Sequence, residues 1–129
     1  MSDRVVHFEI PYDDGERARA FYGGVFGWHL QAWEGAPYTI VRTGPTDEDG
    51  IATEPGYIGG GMFPRQDPIT TPVITIQVDD IATSLARIEE AGGTTVQAGE
   101  PVGEMGFAAY FTDSEGNLMG LWQTAGPDA

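Results

Sequence analysis

The sequence predicts an α+β fold made of two tandem copies of one half-unit, each a strand, a helix and then about three strands. Three observations carry this. Residues 5–14, "VVHFEIPYDD", and residues 72–80, "PVITIQVDD", both read as a strand running into the start of a helix. A shift of 66 positions (80 − 14) lays Asp14 on Asp80, Ala20 on Ala86 and Gly27 on Gly93. One register therefore aligns a strand, a helix and a turn. Each half also closes on strand-like segments rich in β-branched and aromatic residues.

The elements follow in order. In residues 5–10 Val6, Phe8 and Ile10 point one way and Val5, His7 and Glu9 the other, the alternation of a strand with one core face. Asp13 or Asp14 suits a helix N-cap, because a carboxylate accepts the unpaired amide hydrogens of the first turn. Ala18, Phe21, Tyr22 and Val25 then recur at helical spacing. Gly23 and Gly24 are poor helix formers and favour an early end to that helix. "FGWHLQAW" turns at Gly27 into a strand, and "YTIVRTG", residues 38–44, is another. Residues 44–56, rich in Gly, Pro and acids, read as an exposed loop. Three glycines at 59–61 within a strand context point to a bulge or a close backbone approach, and they remove side chains and so leave room.

Residues 65–72, with two prolines, form the linker between module 1 (about 4–64) and module 2 (about 73–124). In module 2, Ile74, Ile76 and Val78 are expected on the core face of a strand, and Asp80 to cap a helix whose stripe is Ile81, Leu85 and Ile88. "AGGTTV" turns into a strand, residues 98–106 read as a loop, "FAAYFTD" is a strand, "SEGN" a tight turn and "LMGLWQ" the last strand.

Composition narrows the function. Six arginines, no lysine and twenty acidic residues give a net charge of −14. Such a surface repels phosphate backbones and anionic lipid, so no nucleic-acid or membrane partner is expected. It also suits high salt, where carboxylates stay hydrated and screening removes their mutual repulsion. There is no cysteine, which excludes disulfides, thiolate metal sites and cysteine nucleophiles. Without lysine there is no phosphate-loop lysine and no Schiff-base amine. Ser2, Ser84 and Ser114 fall at a terminus, on a helix and in a turn, with no nucleophile-elbow pattern. No apolar stretch suits a signal peptide or a membrane span, so a cytoplasmic location is the expectation.

The segments "HFEIPYDD…ARAFYGGVFGW", "ITIQVDD", "AGG" and "FTDSEGNLMGL", in this order from about residue 5 to 123, resemble the vicinal oxygen chelate superfamily. It comprises glyoxalase I, bleomycin-resistance proteins and extradiol dioxygenases; "YIGGGMFPR" looks like a glyoxalase-like subgroup of unassigned activity. The resemblance implies two βαβββ modules whose mixed sheets curl around a shared cavity, helices outside. It also implies a homodimer and a small-molecule ligand. Members commonly hold one divalent metal through a His on the first strand of each module and carboxylates on late strands. His7 matches the first of these positions. Val73 occupies the second, the carboxylate position after "SEGN" falls on Gly120, and the late strand of module 1, "IGGGMF", has no acid. Only one family ligand survives, so no metal and no other cofactor is expected.

The resemblance places His7, Glu9, Gly120, Trp122 and Met62 at the ligand. His7 and Glu9 share a strand face roughly 7 Å apart and suit a general base with an acidic partner. Opposed to this are a hydrogen-bonded structural histidine and a solvated glutamate. Trp122 offers a stacking surface beside the open position at Gly120, although most aromatics of a small domain are core. Met62 equally fills a core gap. The expected function is a glyoxalase/bleomycin-resistance-like protein with a degenerate metal site that binds a small apolar or aromatic molecule. The alternative is a divergent metal-dependent lyase, isomerase or dioxygenase acting next to a carbonyl, with His7 and Glu9 joined by Glu104 or Asp113.

Overall fold

A computed structural model of the chain describes residues 3–33 and 36–125; Ser2 lies outside them. Ten elements run β1 (Arg4–Tyr12), α1 (Gly15–Phe26), β2 (His29–Ala32), β3 (Thr39–Arg42), β4 (Gly59–Pro64), β5 (Val73–Gln77), α2 (Ile81–Glu90), β6 (Thr94–Val102), β7 (Gly106–Thr112) and β8 (Leu118–Thr124). The order βαβββ therefore occurs twice. The chain divides into two compact units, His7–Pro72 and Val73–Ala129, the latter with Met1–Val6.

Each unit has the same pairing scheme. In the first, β1 pairs parallel with β4, β4 antiparallel with β3, and β3 antiparallel with β2. In the second, β5 pairs parallel with β8, β8 antiparallel with β7, and β7 antiparallel with β6. The helix caps repeat as well. Asp14 accepts from the Arg17 amide at 3.1 Å, and Asp80 from the Thr83 amide at 2.9 Å, both from extended backbone. Gly27 ends α1 in the left-handed region at φ 71°, where a side chain would be strained.

Several expectations are corrected. The first helix does not stop at Gly23 and Gly24; it runs on to Phe26, and the Gly23 carbonyl accepts the capping amide of Gly27. Nor does α1 bury the stripe its spacing suggests: Phe21 is 54% exposed and Val25 61%. Its anchor is Tyr22, stacked on Trp28 at 5.1 Å, with Trp28 in turn 5.9 Å from Phe8. Ile74 is 47% exposed while Val73 and Thr75 on the opposite face are buried, so the core face of β5 is the other one at its start. Residues 98–102 belong to β6 rather than to a loop. Pairing with β7 holds them in a strand despite register shifts around Gln97.

The glycines of β4 cause no bulge. Residues 59–61 keep an even register with His7–Glu9 of β1, and residues 60 and 61 with Val41 and Ile40 of β3. They permit close approach instead, and the room is already taken. A Cβ on Gly60 would lie 2.5 Å from the Phe8 carbonyl oxygen, and one on Gly61 would overlap the Tyr38 hydroxyl. The core of the second unit joins Val78, Ile81, Leu85, Ala109, Phe111 and Leu121. In the first unit Thr39, Val41 and Met62 are fully buried.

Candidate functional site

The site builds on the face of the first unit that α1 does not cover. Strand alternation sends Phe8 toward Trp28 and α1, and so sends His7 and Glu9 to the opposite face. The parallel register sets His7 beside Gly59 and Glu9 beside Gly61. On its other side Gly61 faces Ile40 of β3. Gly61 is thus a side-chain-free point between Glu9 and Ile40.

Tyr38 fills that point. The backbone between β2 and β3 fixes it: the Tyr38 carbonyl accepts from the Trp33 amide at 2.7 Å, and the Tyr38 amide donates to the Ala36 carbonyl at 2.8 Å. The two rings meet edge-to-face at 6.5 Å, and Tyr38 lies 6.2 Å from Phe63, two residues along β4 from Gly61. Trp33, Tyr38 and Phe63 therefore form a row whose central ring stands beside Glu9. Its electrostatics are specific. Burial, then the neighbouring Glu9 carboxylate, push the Tyr38 phenol up to about 12, so it stays a hydrogen-bond donor. Burial lowers the His7 pKa and favours the neutral imidazole. A neutral imidazole, a carboxylate and a phenol on one strand face can orient a polar group while the rings hold apolar surface.

The remaining expected residues lie elsewhere. Met62 is fully buried at the register position opposite Ile10 and Thr39, one residue out of phase with Gly61. Gly120 and Trp122 belong to the second unit. Gly120 pairs with Thr75 and Tyr110, and a Cβ there would lie 2.9 Å from the Thr75 hydroxyl oxygen and 3.6 Å from a Val73 methyl. A side chain there would require the Thr75 hydroxyl to shift. Trp122 donates its indole N–H to the Thr124 hydroxyl at 3.0 Å. Glu104 is exposed in the turn after β6. Asp113 is spent on its own turn, accepting from the amides of Glu115 and Asn117 and from the Asn117 side chain; these bonds hold its carboxyl below the usual range.

Among the described residues no three His, Asp or Glu side chains come together in a way that would hold a metal ion. Tyr38, Trp33 and Phe63 pass for core aromatics in the sequence. Their signal was indirect: a glycine flanked in the sheet by an acid leaves a space that something must fill. A shallow groove of about 620 Å³ between α2 and β6, lined by Ile81, Leu85, Gly99 and Phe107 among others, also had no counterpart in the sequence reading.

Comparison with known proteins gives the fold a place. The family described as Bleomycin resistance protein-like N-terminal matches residues 4–44, which carry β1, α1, β2 and β3. The chain has the fold of the glyoxalase/bleomycin resistance/dioxygenase superfamily. It is similar to a member of that superfamily from Vibrio splendidus 12B01, with 17% identity, TM-score 0.61, and 95% and 99% of the two chains covered. It is also similar to a hypothetical protein from Bacillus halodurans C-125, with 15% identity, TM-score 0.65, and 98% and 97% covered. A third likeness is to methylmalonyl-CoA epimerase from Streptomyces coelicolor in complex with 2-nitronate-propionyl-CoA, with 19% identity, TM-score 0.62, and 95% and 98% covered. No curated protein matches the sequence. Among the described residues no helix is long and apolar enough to cross a membrane.

Proposed function

We propose that this protein binds a small apolar or aromatic molecule on the His7–Glu9 face of its first unit and does so without a resident metal ion. One observation carries the reading. In each unit the late-strand residue paired with the third residue of the aligned first-strand segment, Gly61 beside Glu9 and Gly120 beside Thr75, is a glycine whose side-chain volume a hydroxyl already fills. A resident divalent ion needs three or more protein donors, and neither place can supply one. What the face offers is a neutral imidazole, a carboxylate, a phenol and three rings. That inventory suits capture and orientation of a ligand. The negative charge of the chain favours neutral or cationic ligands over anions. The protein works as a cytoplasmic homodimer on this reading.

A second reading rests on the likeness to methylmalonyl-CoA epimerase: a divergent metal-dependent lyase, isomerase or dioxygenase acting next to a carbonyl. It needs donors beyond His7 and Glu9, and the commitment of Asp113 to its turn weighs against that residue. Two measurements on protein purified without a His-tag decide. Protein-detected NMR titration with aromatic fragments should show binding that shifts the His7 imidazole, and elemental analysis should find no stoichiometric metal. Stoichiometric zinc, nickel, manganese or iron would favour the enzyme. Fragments that leave the His7 signals unmoved would remove the binding reading.

A further inference from the structure

The aromatic row beside Glu9 has a chemistry that the general reading leaves open. Trp33, Tyr38 and Phe63 bring three rings together at one end of strands β2, β3 and β4, Trp33 and Tyr38 edge-to-face, and the Glu9 carboxylate acts electrostatically on the central ring. Trp33 is 51% exposed. The phenol stays neutral and the Gly61 position is closed by its hydroxyl, which leaves ring surface rather than a hole. Of the basic groups here, Arg42 donates to the Gln31 side chain at 2.9 Å, and Arg65, two residues beyond Phe63, donates to Asp13 at 3.0 Å. A cation over a π-face gains from the ring quadrupole, and most where a carboxylate stands close by.

We propose that this row is a recognition site for an organic ammonium ion, held by cation–π contact with Trp33 and Tyr38 and by the charge of Glu9. The proposal rests on the reading of this face as a ligand site and narrows the ligand to N-alkylated amines. Such groups carry their charge behind methyl or methylene surface. They bury that surface against the rings and need no hydrogen bond from a glycine-lined floor.

The test compares choline with its uncharged carbon isostere, dimethylbutanol, by NMR titration of the full chain. Choline should bind at least roughly tenfold more tightly than the isostere and should shift the Trp33 indole signals. Glu9→Gln should weaken choline roughly tenfold, and Trp33→Leu, at an exposed position, several-fold. Glu90→Gln removes the same charge from the end of α2 and should leave choline binding unchanged. Equal binding of choline and the isostere would overturn the proposal. So would equal losses in Glu9→Gln and Glu90→Gln, which would trace the effect to the overall charge. If neutral aromatic fragments shift His7 while choline does not bind, the ammonium site falls and the ligand face stands. If neither binds, both fall.

Discussion

The Tyr38 hydroxyl occupies the volume that a side chain on Gly61 would need, and Glu9 is the strand neighbour of that glycine. Sheet, hairpin and charge meet at this point. Adding a Cβ must displace the phenol. Gly61→Ala should therefore destabilise the protein by about 1–3 kcal/mol, the range for overpacking. In a Tyr38→Ala background the same substitution should cost little, because the obstacle is gone. Denaturant unfolding of the parent protein and the three variants checks this, and additive losses would refute it.

The raised phenol makes an alkaline prediction. Tyr38 holds its proton more tightly folded than unfolded. Its stabilising contribution is therefore complete below the ordinary value of 10 and is lost as pH rises from there through about 12. Ultraviolet titration should show one tyrosine ionising late. Glu9→Gln should bring it partly back toward 10, since burial is the larger cause and remains.

His7 predicts the opposite slope at the acid side. Its folded pKa lies below 6.5, so it stabilises the fold above that value and the contribution falls away as pH drops through the folded pKa. NMR titration of the imidazole should give a midpoint below 6.5. A His7→Asn variant should lack this step in its unfolding free energy.

Core and helix positions should separate sharply. Met62→Ala removes a fully buried side chain and should cost about 2–5 kcal/mol. Phe21→Ser, on the exposed side of α1, should stay within about 1 kcal/mol. Thermal unfolding of both variants gives the contrast; equal losses would mean that α1 is covered by a partner in solution.

The acidic surface predicts salt dependence. Twenty carboxylates against six arginines repel one another, and screening relieves that repulsion. The unfolding midpoint should climb steadily from low to molar potassium chloride. A flat midpoint would remove adaptation to high salt as the reason for the composition.

The repeat was legible because it rests on local chemistry. Asp14 and Asp80 announce helix starts through a carboxylate and a nearby amide, and β1 shows its two faces through alternation of period two. Both are properties of a few neighbouring residues. The caps are found in place, while residues 6–10 of β1 are half-buried on both faces.

Other features had no local cause. Apolar spacing in α1 leaves Phe21 and Val25 more than half exposed, because it is Tyr22 and Phe26 that pack on Trp28. The glycines at 59–61 look like vacated space until strand pairing and the β2–β3 hairpin bring Phe8 and Tyr38 into it. Sequence alone determined the duplicated α+β scaffold, its caps and its charge, since each follows from covalent neighbours. The tertiary structure decided what stands over Gly61 and beside Glu9, because that depends on strands far apart in the chain whose register no local pattern encodes.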